Sequence, residues 1–68
     1  MAAQSEVRYW KRALDAGEVE RFVAEWLNCE FVEIDVDGEV WVEKPMVGHW
    51  LKQERLLEFV DFMRQRGY

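Results

Sequence analysis

The chain has one cysteine, one histidine, one proline and no threonine; Ser5 is its single serine and Asn28 its single asparagine. Each scarcity removes a class of chemistry. A lone Cys29 leaves no internal disulfide, and Cys29 with His49 falls short of the ligand sets that hold structural zinc. Neither Ser5 nor Cys29 has a sequence context that marks a nucleophile with its base, and no glycine-rich phosphate loop is present. Paired carboxylates are plentiful, but 68 residues seldom build the cleft a glycosidase needs around them. The sequence therefore reads as a non-enzymatic protein with no catalytic residues, no cofactor and no metal. No apolar run reaches the roughly 18 residues of a membrane span. The start, MAAQSEVRYW, lacks a basic region followed by an apolar stretch, so no signal peptide is expected. With a single cysteine, that points to a reducing, cytoplasmic setting.

What the chain does have is apolar bulk and charge. Half of its residues are hydrophobic, and four are tryptophan. A chain this short buries only about 60% of the surface its unfolded form exposes. Small scaffolds compensate with disulfides, a metal, a partner or an unusually rich core. With no disulfide or zinc set, either the core is unusually rich or a second chain helps, and both can hold; aromatic side chains that bury about 150–250 Å² each can support such a core. Residues 1–68 read as one small domain.

Periodicity gives the elements. A first helix is expected over about Glu6 to Leu14, with Ser5 as N-cap and Val7, Trp10 and Leu14 on one narrow stripe. That stripe can dock on its own chain or on a second copy. A break follows at residues 15–17, where Asp15 and Glu18 have capping-box spacing and Gly17 can instead end the first helix. The second helix runs to about Leu27, with Val19, Phe22, Val23, Trp26 and Leu27 on a broad apolar face and Asn28 to end it. A third helix is expected over about Leu51 to Arg66, ended by Gly67. Its apolar arc is Leu56, Leu57, Phe59, Val60 and Met63, with Phe62 outside it.

Between the second and third helices, CEFVEIDVDGEVWVEK changes to strand alternation. The turn length decides its register. A two-residue Asp37-Gly38 turn mixes charge and apolar groups on both faces. A three-residue loop, Val36-Asp37-Gly38, with Gly38 in the left-handed position of a bulge, sets Ile34 opposite Val40 and Val32 opposite Val42. One face is then aliphatic, and burial selects this register, since a one-residue slip exchanges the faces. The other face carries Phe31, Glu33, Asp35, Glu39, Trp41 and Glu43, with Asp35 and Glu39 as like-charged neighbours on a wet or occupied surface. The DVDG segment does not fit an EF-hand, because Gly38 follows Asp37 directly and the flanks are strands. Pro45 is expected to end the second strand, leaving KPMVGHW as a connecting loop. The expected fold is α+β: a small two-layer domain, helix–helix–β-hairpin–helix, with the helices packed on one face of the hairpin. Both hairpin edges are then open, and one could pair with a second copy.

Charge is unevenly spread. Residues 18–43 hold nine carboxylates against Arg21 alone, a net of −8, while the segments on either side are mildly positive. That disfavours direct nucleic-acid binding. It suits a protein-interaction module, a regulator or inhibitor whose acidic and aromatic face (Phe31, Glu33, Asp35, Glu39, Trp41, Glu43) meets a basic, partly apolar protein partner. A second reading follows from strand carboxylates that repeat at about 6.6 Å, close to successive phosphates. On it the protein is a nucleic-acid mimic, of the kind small phage inhibitors are, aimed at a basic nucleic-acid-binding enzyme or repressor. A structural homodimer is the third.

Overall fold

The register chosen by burial is the register of the molecule. In a computed structural model describing residues 2–15, 17–44 and 47–68, β1 (Phe31–Ile34) pairs antiparallel with β2 (Val40–Lys44), Ile34 opposite Val40 and Val32 opposite Val42. The loop has three residues. The Asp35 amide donates to the Glu39 carbonyl (3.0 Å), the Gly38 amide to the Asp35 carbonyl (3.1 Å), and Gly38 takes φ +88°. Only glycine adopts that conformation without strain. Gly38 is also buried: a Cβ there would lie 2.5 Å from the Gln4 carbonyl oxygen and 2.9 Å from Arg8 Cγ. The hairpin tip is thus seated on the first helix of the same chain, which resolves whether that helix docks in cis.

The helices are α1 (Ala2–Ala13), α2 (Glu18–Leu27) and α3 (Gln53–Gln65). The first begins earlier than the capping signal suggests. Ala2, Ala3 and Gln4 are good helix formers, and burying Ala3 extends the Val7–Trp10 stripe by one turn, so Ser5 lies inside the helix rather than capping it. Gly17 (φ +82°) occupies the N-cap of α2 rather than ending α1. No side chain caps α2; the Asp15 contribution is its carbonyl, which accepts from the Glu18 amide. Ala16, the middle of the expected break, lies outside the described residues. Asn28 closes α2 in the left-handed conformation, as its type allows. At the end of α3, Gly67 (φ +95°) donates to the Arg64 carbonyl and Tyr68 to the Met63 carbonyl, a Schellman closure.

The expected connecting loop is partly a third strand. β3 (Val47–Trp50) pairs antiparallel with β2, giving a three-stranded sheet in the order β1-β2-β3. Pro45, read as the stop, lies with Met46 outside the described residues. Residues 47–50 are a four-residue run containing glycine, too short to stand out by alternation, and they are held by pairing along one edge only. The outer edge of β2 is therefore covered, and the sheet's edges are β1 and β3 rather than the two hairpin strands.

The helices pack on the aliphatic face. Ile34, Val40 and Val42 join Val7, Trp10, Val19, Val23, Leu56, Phe59, Val60 and Met63 in one core. Phe59 is its centre, fully buried, edge-on to Trp10 (6.2 Å, 88°) and tilted against Trp26 (5.4 Å). The apolar arc of α3 is rotated from its expected position. Leu57 is 46% exposed, whereas Phe62 is half-buried, stacked on Phe59 and covered by the Arg66 guanidinium at 4.6 Å. Covering an exposed ring edge with a guanidinium lets an aromatic sit at the core margin. The architecture is the expected α+β two-layer arrangement with one strand added.

Two substitutions test this. A 68-residue domain has a stability of roughly 3–10 kcal/mol. Gly38→Ala combines a strained φ with a collision against backbone, and is expected to cost at least ~2 kcal/mol in urea denaturation. Phe59→Ala, losing about 3–5 kcal/mol, is expected to abolish the cooperative thermal transition or leave it barely above room temperature.

Candidate functional site

The sheet has a second face, and the helices leave it uncovered. Strand alternation places Phe31 and Glu33 of β1, Trp41 and Glu43 of β2, and Gly48 and Trp50 of β3 on it, with Glu33 opposite Trp41, Trp41 opposite Trp50 and Glu43 opposite Gly48. Phe31 is 46% exposed and Trp50 49%, and neither belongs to the core. Phe31 and Trp50 thus stand on the two edge strands of this face, with Trp41 on the strand between them.

Trp41 is held by both a hydrogen bond and a ring contact. Its indole folds across β3, where the missing side chain of Gly48 makes room; a Cβ there would lie 2.5 Å from Trp41 Cζ2. The indole Nε1 donates to Glu43 Oε1 (3.0 Å), and the ring meets Trp50 edge-on at 5.3 Å and 78°. Trp41 is half-buried, and Glu33 is its cross-strand neighbour on β1. The Trp41–Trp50 pair forms an aromatic shelf on this face, with Glu33 and Glu43 exposed beside it.

Of the six residues expected to form the site, the sheet groups Phe31, Glu33, Trp41 and Glu43. Asp35 and Glu39 lie at the hairpin end. The Asp35 carboxylate turns into the loop, where Oδ1 accepts from the amides of Asp37 and Glu39, both at 2.9 Å. Two N–H donors stabilise its charge, which explains how it tolerates Glu39 as a neighbour. Asp35 thus builds the turn, while Glu39 is exposed. Trp50 and Gly48 were missing from the expected site because residues 47–50 read as loop. The signal available was a tryptophan two residues beyond a glycine, facing a strand that already carried one.

The electrostatics sharpen the picture. Ion pairs join Lys11 to Glu20, Arg64 to Glu6, Arg66 to Glu25 and Arg55 to Glu58. They tie helix to helix or lie within one helix. Among the described residues, Glu30, Glu33, Asp35, Asp37, Glu39 and Glu43 have no cationic partner, so the negative field of the hairpin is left unneutralised. No group of three or more His, Cys, Asp or Glu side chains could hold a metal ion among these residues. Cys29 is half-buried, and burial pushes its thiol pKa up against the opposing pull of a backbone hydrogen bond and Lys44, which makes it a poor nucleophile. His49 is exposed on β3. No helix is long and apolar enough to cross a membrane among the described residues.

Gly48→Ala is expected to displace the Trp41 indole. The exciton couplet of the Trp41–Trp50 pair in circular dichroism should be lost while the helical signal is retained. Asp35→Ala removes the acceptor for two amides and is expected to cost about 1–2 kcal/mol in urea denaturation. Asp35→Asn, which keeps one oxygen acceptor, should cost less than half of that.

No protein-family model matches this chain, and no curated protein matches it.

Proposed function

We propose that the protein is a small non-enzymatic interaction module, a regulator or inhibitor that binds a basic, partly apolar segment of another protein on the outer face of its sheet. The observation that carries this reading is the placement of aromatics and carboxylates without an ion-pair partner among the described residues on one uncovered face: exposed Phe31 and Trp50 and half-buried Trp41, with Glu33 and Glu43. Aromatic side chains supply large contact area at small entropic cost and are the usual anchors of protein interfaces. The carboxylates favour a partner rich in lysine and arginine, whose cations gain both from the acids and from the ring faces. A segment of alternating basic and apolar residues in extended conformation matches the strand spacing of the face.

A nucleic-acid mimic would use the same carboxylates, but its affinity would not depend on the aromatics. The two readings part on one experiment. Tagged protein is incubated with lysate of the native host, washed at low and at high salt, and the retained proteins are compared with those held by Phe31→Ala/Trp50→Ala and by Glu33→Lys. The interaction module is expected to hold a stoichiometric partner through the high-salt wash, and to lose it in both variants with no change in melting temperature. A partner that the aromatic double variant retains, and that high salt removes, would replace this reading with mimicry. Binding unchanged in both variants would exclude the face altogether.

A further inference from the structure

On the opposite, helix-facing side of the sheet lies a hollow of different character. Lys44 of β2, His49 of β3, and Lys52 and Arg55 at the start of α3 line a space of about 310 Å³. Its floor is apolar, formed by Leu27, Val42 and Leu51 around the Cys29 side chain. Among the described residues no carboxylate lines it, whereas three other surface hollows each include an aspartate or glutamate. In a chain of net charge −5, this concentrates cations where the composition predicts acids.

The two lysines are available. Among the described residues, Lys44 and Lys52 have no ion-pair partner and both are exposed. Arg55 is held at the rim, 2.6 Å from Glu58 and with its guanidinium 5.0 Å from the centre of the Trp26 ring. Lys52 is the N-cap of α3 and no side chain caps that helix, so the positive end of its dipole adds to the field at the same mouth.

We infer that this hollow is a binding site for a small amphipathic organic anion, a carboxylate whose short apolar body lies on Leu27, Val42 and Leu51 and whose charged group sits between Lys44, Lys52 and Arg55. The size falls at the lower end of small-molecule sites, and an apolar floor with a few polar groups at the rim is their usual make-up. The site lies on the face opposite the aromatic shelf and stands independently of it.

The test is a titration of uniformly 15N-labelled full-length protein with sodium hexanoate, followed by amide chemical shifts, with hexanol and hexylamine as matched controls. Hexanoate is expected to give saturable shifts at Cys29, Lys44, His49 and residues 52–55, and to bind at least about fivefold more tightly than hexanol, with no saturable shift from hexylamine. Lys44→Gln/Lys52→Gln should weaken hexanoate about tenfold, roughly threefold for each exposed charge lost, without changing the melting temperature. Raising the salt should weaken hexanoate and leave hexanol unaffected. Non-saturable shifts, equal affinity for hexanoate and hexanol, or an unchanged affinity in the lysine double variant would each overturn the proposal.

Discussion

The rest of the structure depends on the three-residue connection between β1 and β2. Two features set it: a left-handed Gly38 and an Asp35 carboxylate that accepts two loop amides. Had the loop been one residue shorter, the side chains of one strand would have exchanged faces, putting carboxylates into the core and valines into solvent. With the loop as it is, Val32, Ile34, Val40 and Val42 face the helices, while Phe31, Glu33, Trp41 and Glu43 face outward. The same glycine lets the tip seat against the Gln4 carbonyl, so the local turn also fixes where α1 lies.

With one cysteine the chain has no internal disulfide, and aromatic packing fills its core. Trp10, Trp26, Phe59 and Phe62 form a continuous set of ring contacts across all three helices, and Phe22 meets Tyr68 beside the end of α3. The guanidiniums of Arg55 and Arg66 lie over rings at the margin of this set. Their long side chains shield apolar surface that a small domain cannot cover with more chain. The ion pairs at the helix crossings are partly exposed and contribute little energy each; their effect is to orient one helix against the next.

Charge, like hydrophobicity, is unevenly divided between the elements. Glu6, Glu20, Glu25 and Glu58 of the helices pair with lysines or arginines, whereas among the described residues the hairpin acids have no ion-pair partner. Lysines excluded from these pairs gather instead around the hollow between β2, β3 and α3. An acidic aromatic shelf and a cationic apolar hollow on opposite sides of one thin sheet give the molecule two chemically distinct surfaces. We read the first as the site that meets a protein partner and the second as a site for a small anion.

Local sequence determined those features whose physics is local. The amphipathic face of α2, the Asn28 and Gly67 terminations, the loop length and the strand register were all legible, because each follows from periodicity, a left-handed position or a choice between two faces. Tertiary structure decided the rest. β3 forms because β2 offers an unpaired edge, and nothing in four residues around Gly48 announces such pairing. The rotation of α3 that half-buries Phe62 and exposes Leu57 is set by where Trp26 and Arg66 lie, and those neighbours come from another element and from the chain end. The same holds for both proposed sites: the sequence supplied Phe31, Trp41 and the carboxylates, but Trp50 joined them, and the lysines met across the hollow, only through contacts between residues distant in the chain.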